Sequence, residues 1–318
     1  MYLEDLLIEF NHKGLNSLSQ SRVRFDLVTD LGKIRIAVCK NDSSPFSVDD
    51  GYLWREDMII GKIQNIESDN CVSSYPRKNG SHITLNTNIK SNCKGCEFCG
   101  LRVLEKEDTI SVQDILDRLD VNWNNIHSVG IVTGCFSSEK SALKHLSKIR
   151  QEIVSRGAPN SLEVQYIGCQ ITSNDLYNLI PNCSVFLTIE CFERRNSLLH
   201  EKKSLTLNEC TDFLRVASTL NIERSFLYIL GLDTFYSFSE NMKKFFPLCS
   251  RFPQIQIFQE YIPGQFSLLT PECKKDPMEY FLKAKELLEK LGREYNLVPN
   301  REENYRSLWQ YSFNGGSL

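Results

Sequence analysis

The rhythm of apolar and polar positions changes near residue 80. Before it, residues 3–10 carry the spacing of a short helix, and residues 23–28 and 33–38 alternate apolar and polar side chains. Thr29-Asp30-Leu31-Gly32 lies between these two runs, which is the pattern of a β-hairpin. Residues 41–51, with Ser43-Ser44-Pro45 and Asp49-Asp50-Gly51, read as loop. Residues 76–81 supply a cluster of breakers, which places a boundary between an N-terminal α+β extension (1–80) and a second region (81–318). The extension is expected to cap the second region or shape its entrance.

From His82 onward, strand and helix patterns alternate. Strands are expected at 82–89, 128–133, 162–167, 184–190, 225–230 and 255–261. Helices are expected at 111–119 and from Ser138 to about 155, where Ala142, Leu146, Ile149 and Ile153 share one face. A short helix capped by Ser173 follows, and Thr206-Leu207-Asn208-Glu209 forms a capping box that opens the next. Further helices are expected at 239–246 and 277–291, the last with Pro277 at its start and Gly292 just past its end. Six strand–helix units imply a parallel sheet, because parallel neighbours need crossover connections. Six fall short of a closed eight-fold barrel, leaving a doubly wound sheet or a partial (β/α)6 barrel. Both α/β arrangements gather ligands at the carboxyl ends of their strands.

Composition narrows the class. Of 318 residues, 41% are hydrophobic and 24% charged, which excludes disorder or coiled coil as the main architecture. Lys and Arg number 37 against 40 Asp and Glu, so there is no basic excess and nucleic acid is not an expected partner. Apolar runs such as 226–230 are far too short to span a bilayer, so no membrane partner is expected. The acidic start, Met1-Tyr2-Leu3-Glu4-Asp5, is unlike a secretory leader, and a cytoplasmic location is expected. Nine of the twelve cysteines are scattered and are expected to be buried small hydrophobes, not a disulfide framework.

The other three form the motif Asn92-Cys93-Lys94-Gly95-Cys96-Glu97-Phe98-Cys99-Gly100, directly after the first strand of the alternating region. Three thiolates so close together favour a bound cation, and iron–sulfur clusters and zinc are the ordinary choices. A ferredoxin-type run would place a fourth cysteine where Val103 stands. Zinc would call for a second cysteine pair, and no second C-x2-C occurs; His82 is a candidate fourth ligand at the far end of the strand.

A three-cysteine motif ending the first strand of a six-fold βα array resembles the radical S-adenosylmethionine (radical SAM) superfamily, which implies an α/β fold with a partial (β/α)6 barrel. The common family motif has three residues between the first two cysteines, whereas this chain has two. Cys96-Glu97-Phe98-Cys99 matches the second half, including the aromatic residue that lies beside the adenine in the family. Val132-Thr133-Gly134-Cys135-Phe136 stands where the family's second strand turns, so the resemblance implies a cofactor contact at Gly134. Leu187-Thr188-Ile189-Glu190, then Arg194-Arg195 and Leu199-His200-Glu201-Lys202-Lys203, look like the fourth strand of the biotin synthase and hydrogenase-maturation branch. There the strand-end acid binds the cofactor and a nearby Arg pairs with its carboxylate, which implies those roles for Glu190 and Arg195. Independently, an unpaired carboxylate ending an apolar strand would be costly, so a ligand or an Arg partner is expected for Glu190. A local structural contact is expected for His200. Ile229-Leu230-Gly231-Leu232-Asp233 and Gln259-Glu260-Tyr261-Ile262-Pro263-Gly264 are similar to the family's strand-5 and strand-6 turns.

The resemblance implies a [4Fe-4S] cluster on Cys93, Cys96 and Cys99, with S-adenosyl-L-methionine chelated to the open iron. It further implies reductive cleavage to a 5′-deoxyadenosyl radical, which takes hydrogen from a small-molecule or peptide substrate. Flavodoxin or ferredoxin is the implied electron donor. No second cysteine-rich motif occurs, which argues against an auxiliary cluster. The competing readings are a zinc-binding protein and an iron–sulfur electron carrier without SAM chemistry.

Overall fold

The computed structural model describes residues 3–16, 22–30, 32–68, 75–87, 95–100, 111–132, 139–300 and 302–303. The N-terminal part builds a sheet of its own. Helix α1 (Leu3–Lys13) is followed by β1 (Arg22–Thr29), β2 (Gly32–Cys39), β3 (Phe46–Asp49), β4 (Tyr52–Arg55) and β5 (Met58–Ser68). The strands lie in the antiparallel order β2-β1-β5-β4-β3. The expected hairpin is present, in register from Arg22 opposite Cys39 to Thr29 opposite Gly32. Leu7 and Phe10 of α1 pack with Phe25, Ile36, Phe46 and Leu53 into a core separate from that of the rest of the chain.

The segment 41–51 is not all loop. β3 and β4 form a two-residue hairpin across Asp50-Gly51, both with left-handed backbone (φ 47° and 76°). That conformation matches the twist of the flanking strands, and Asp-Gly is a preferred pair for it. Phe46, fully buried, anchors the short strand.

The second sheet has seven strands in the order β12-β11-β10-β9-β8-β7-β6. They are β6 (Tyr75–Asn79), β7 (His82–Asn86), β8 (Ser128–Val132), β9 (Glu163–Gly168), β10 (Cys183–Glu190), β11 (Arg224–Leu230) and β12 (Gln254–Ile257). β7 to β12 are parallel and neighbour one another in chain order. A doubly wound sheet needs a point where the order reverses, and here there is none. Crossovers of a single hand put the helices on one face, so the sheet curls into a partial barrel. The breaker cluster at 76–81 is itself a strand and its turn: β6 pairs antiparallel with β7 through Gly80-Ser81. Pro76 is tolerated because β6 is an edge strand with one side free of the ladder.

The helices of this region are α2 (Val112–Asp117), α3 (Glu139–Ser155), α4 (Arg195–Leu198), α5 (Leu207–Thr219), α6 (Phe235–Phe245), α7 (Pro271–Lys275) and α8 (Pro277–Tyr295). The Thr206–Glu209 capping box opens α5 as expected. Three boundaries differ from expectation. The short helix after β9 is a 3-10 turn (Ser173–Asn178) capped by Thr172, whose N–H and hydroxyl both donate to Asp175. α6 begins at Phe235, capped by Thr234. α8 runs through buried Gly292 and ends at Asn296 in the left-handed region (φ 54°), a conformation that Asn tolerates.

The N-terminal sheet docks beside β12. α1 contacts β12 and α8, with Lys285 Nζ 3.0 Å from Glu4 and 3.4 Å from Asp5. The His12 ring packs edge-on against Phe266 and Phe281, at 5.3 and 5.1 Å between centroids. The exposed edge of the open barrel is thereby covered on this side. At the amino ends of the strands, Arg251 meets Glu163, Glu303 and Glu223, while the Glu302 carboxylate accepts from the Ser81 N–H and hydroxyl. Among the described residues, no helix is long and apolar enough to cross a membrane.

Candidate active site

The cysteine loop stands at the carboxyl ends of the parallel strands and is tied to two other loops there. The Glu97 N–H donates to Leu198 O (2.9 Å), in the segment after β10, and His200 Nε2 lies 3.3 Å from the Glu97 carboxylate. Gln265, in the segment after β12, donates its amide to Glu97 O at 2.9 Å. Within the loop, Gly95 adopts a left-handed backbone (φ 75°), and the Cys99 N–H donates to Cys96 O at 2.8 Å. Cys96 is buried and Cys99 half-buried, and neither is in a disulfide. Phe98 is buried in the main hydrophobic core. Cys93 and Gly134 lie outside the described residues. Among the described residues, no three His, Cys, Asp or Glu side chains are grouped to hold a metal ion. Two thiols on one turn suit a thiophilic metal, and Cys93, three positions before Cys96, is the third donor of the motif.

Glu190 ends β10 in a strained conformation. Its φ is 66°, in the left-handed region that costs a non-glycine residue roughly 1–2 kcal/mol. The ladder to β11 skips a residue there, so that Thr188 faces Leu227 and Glu190 faces Tyr228. The Cys191 N–H donates to Ile189 O (2.8 Å), closing a three-residue turn around Glu190. Strain of this kind persists where the surroundings over-determine it, and such positions cluster at functional sites.

The surroundings are specific. Lys202 Nζ donates to the Glu190 carboxylate, so the cationic partner is Lys202, not an arginine. Burial opposes the charge on Lys202, but the Glu190 carboxylate outweighs it and holds the amine well above its usual range. Arg195 is also buried, and its guanidinium is turned away from any carboxylate. Nη1 donates to Ile189 O (2.5 Å) and Cys191 O (3.3 Å), and Nη2 to Lys202 O (2.9 Å) and Leu205 O (2.6 Å). Arg195 thus grips both flanks of the Glu190 turn.

Asp233, fully buried after β11, holds the rest of this segment. Its carboxylate accepts from the N–H groups of Phe192 (2.6 Å), Glu193 (3.1 Å) and Arg194 (3.3 Å) and from the Tyr228 hydroxyl (2.8 Å). Burial and then the Asp233 charge push the Tyr228 phenol well above its usual range, so it stays protonated and donates. Burial likewise raises the thiols of Cys169, Cys191 and Cys210, the last to about 12. These scattered cysteines are neutral packing groups, as expected. Lys202 and Asp233 stood inside quoted segments, but nothing in their spacing marked a role. Gln259 stood at the head of the strand-6 turn with no role marked, and Gln265, one residue past it, carried no signal.

Two openings adjoin these loops. Glu97, Ile262, Pro263, Gly264, Gln265, Ser267 and Leu268 line a surface pocket of about 380 Å³. Inside the barrel, a Cβ on Gly130 would touch both His82 and Ile167, which fixes the inward face of the strands. On that face Thr84, Asn86, Val132, Leu227 and Gln256 remain partly exposed, and none is charged.

No family model matches this sequence. No curated protein matches it either. Solved structures similar in trace include Streptococcus suis SuiB bound to S-adenosylmethionine (11% identity, TM-score 0.44), covering 69% of this chain and 54% of that one. Coproporphyrinogen III oxidase (HemN) from Escherichia coli, described as a radical SAM enzyme, matches at 12% identity and TM-score 0.44 over 70% and 55% of the two chains. The chain thus spans about half the length of these proteins.

Proposed function

We propose that this chain is a radical SAM enzyme, with Cys93, Cys96 and Cys99 holding a [4Fe-4S] cluster and SAM lying across the carboxyl ends of the strands. One observation carries the reading: a cysteine loop docked by hydrogen bonds onto the segments after β10 and β12, above a sequentially ordered parallel half-barrel. When bound, the cluster supplies the electron that splits the SAM sulfonium and yields the 5′-deoxyadenosyl radical.

The chain's own residues do the positioning. Glu190, aimed by its strained turn and backed by Lys202, presents a carboxylate beside Cys96 for the polar end of the cofactor. Phe98 and Gly134 are the further cofactor-side positions, and Arg195 serves one step removed by holding the Glu190 turn. The partly exposed inner-face positions Thr84, Asn86, Val132, Leu227 and Gln256 offer an uncharged lining to a small molecule or a peptide side chain. A flavodoxin- or ferredoxin-type donor in the cytoplasm completes the proposal.

Anaerobic reconstitution followed by reduction with SAM present tests it. The expected result is about four iron and four sulfide per chain, with 5′-deoxyadenosine released. The Cys96→Ala variant is expected to lose both. Bound zinc, or a cluster that never cleaves SAM, would overturn the assignment.

A further inference from the structure

Seven residues after β12, 259 to 265, connect the N-terminal sheet to the cysteine loop through two buried glutamines. The Gln259 amide Nε2 donates to Asn11 O (3.1 Å) at the end of α1 and to Ala37 O (3.2 Å) on β2. Gln265 faces the other way. Its Oε1 accepts from the N–H groups of Tyr261 (2.9 Å) and Ile262 (3.0 Å), and its Nε2 donates to Glu97 O (2.9 Å), between Cys96 and Cys99. Both side chains are more than nine-tenths buried. The partners determine each amide's orientation, since carbonyls require the nitrogen and N–H groups the oxygen. Between them the chain turns at Gly264 (φ 94°), and Arg22 of β1 covers the Tyr261 ring at 4.6 Å.

We infer that this segment is a two-sided clip, with Gln265 the positioning residue that sets the cysteine loop and Gln259 its anchor on the N-terminal sheet. A carboxamide at 265 accepts from two backbone N–H groups and donates to a carbonyl at once, which an ionised carboxylate cannot do. The N-terminal sheet is thereby linked to the cysteine loop through a buried connection seven residues long. The inference rests on the proposed function for its meaning, while the hydrogen bonds it describes join only this chain's own atoms.

The test is made on metal-free, full-length protein. Native-state alkylation by iodoacetamide is followed at each cysteine by mass spectrometry. Gln265→Glu keeps the acceptor for Tyr261 and Ile262 but replaces the donor to Glu97 O with a carboxylate oxygen. It is expected to speed alkylation of Cys96 and Cys99 about five- to tenfold, the change that loss of one buried hydrogen bond brings. Cys210 and Cys249, remote in the core, should be unaffected. Gln259→Leu is expected to act on Cys96 and Cys99 in the same direction, by about two- to threefold, from the far side of the clip. In reconstituted protein, Gln265→Glu should shift the electron paramagnetic resonance signal of the reduced cluster.

Unchanged Cys96 and Cys99 rates in Gln265→Glu would overturn the inference. So would a parallel rise at Cys210 and Cys249, which marks general loosening. Unchanged rates in Gln259→Leu would remove the anchor half. If the wild-type chain assembles no cluster while these rates respond as expected, the enzymatic reading fails and the clip stands.

Discussion

The two ends of the half-barrel use polar side chains in opposite ways. At the amino end, two clusters join side chain to side chain, beside carbonyls held by Arg150 and Arg224: Arg251 meets three glutamates, and His82 bonds Ser128 (2.8 Å) and Thr84 (3.2 Å). At the carboxyl end, buried side chains hold backbone. Arg195 grips four carbonyls, Asp233 three consecutive N–H groups, and Gln265 two N–H groups and a carbonyl. An ion pair between side chains adds modest stability to a shape the strands already set. A buried side chain bonded to loop backbone dictates the shape itself, because each unmet N–H or carbonyl would cost about 1–3 kcal/mol. The first is a floor; the second shapes a site.

The contrast can be broken at its strongest point. Asp233→Ala strands three N–H groups and a phenol in a dry environment, and we expect a loss of about 3–4 kcal/mol in chemical denaturation. Tyr228→Phe, which removes one of the four donors, should cost about 1 kcal/mol. Near-equal effects of the two variants would show that the N–H contacts are not the main term.

The floor should show itself in acid. Burial depresses His82 from 6.5 to about 4, with Glu302 opposing this and Arg251 reinforcing it. Between those values the unfolded chain binds the extra proton, so stability is full above pH 6.5 and is lost as pH falls towards 4. The term amounts to at most about 3 kcal/mol. His82→Gln, compared with wild type in urea denaturation at pH 7 and pH 4.5, should show a shallower loss; parallel slopes would refute the assignment.

A smaller effect is expected at Arg251. Its side chain is 27% exposed, so Arg251→Met should cost about 1–2 kcal/mol, and less in 1 M salt because screening weakens partly exposed pairs. A salt-independent loss would point to packing instead. The smallest effect concerns the loop after β9. Thr172→Ala should cost about 1 kcal/mol as the true cap, and Ser173→Ala under about 0.5 kcal/mol. Thermal melts of the pair decide which residue starts that turn.

Much of the framework was legible. Periodicity placed the six parallel strands within a few residues, and the Thr206–Glu209 box marked its helix start, because these signals are local. The order of strands was not, since a doubly wound sheet and a partial barrel share the same local pattern. Asp50-Gly51 was a hairpin signal overlooked because the strands it joins are four residues each. Pro76 hid a strand because prolines break ladders everywhere except at an edge.

The sequence by itself determined where the thiols stand, which strand precedes them and which carboxylate closes the fourth parallel strand. Those facts depend on residue type and spacing along the chain. Only the tertiary structure decided that Glu190 takes a left-handed turn, that Lys202 and not Arg195 is its partner, and that Gln265 reaches the cysteine loop. Glu97 and Gln265 are 168 residues apart, and Asn11 and Gln259 are 248 apart. Hydrogen bonds over such separations depend on how the sheet curls and which loops it brings together. That curl is set by the whole array of strands and helices and by no single segment's pattern.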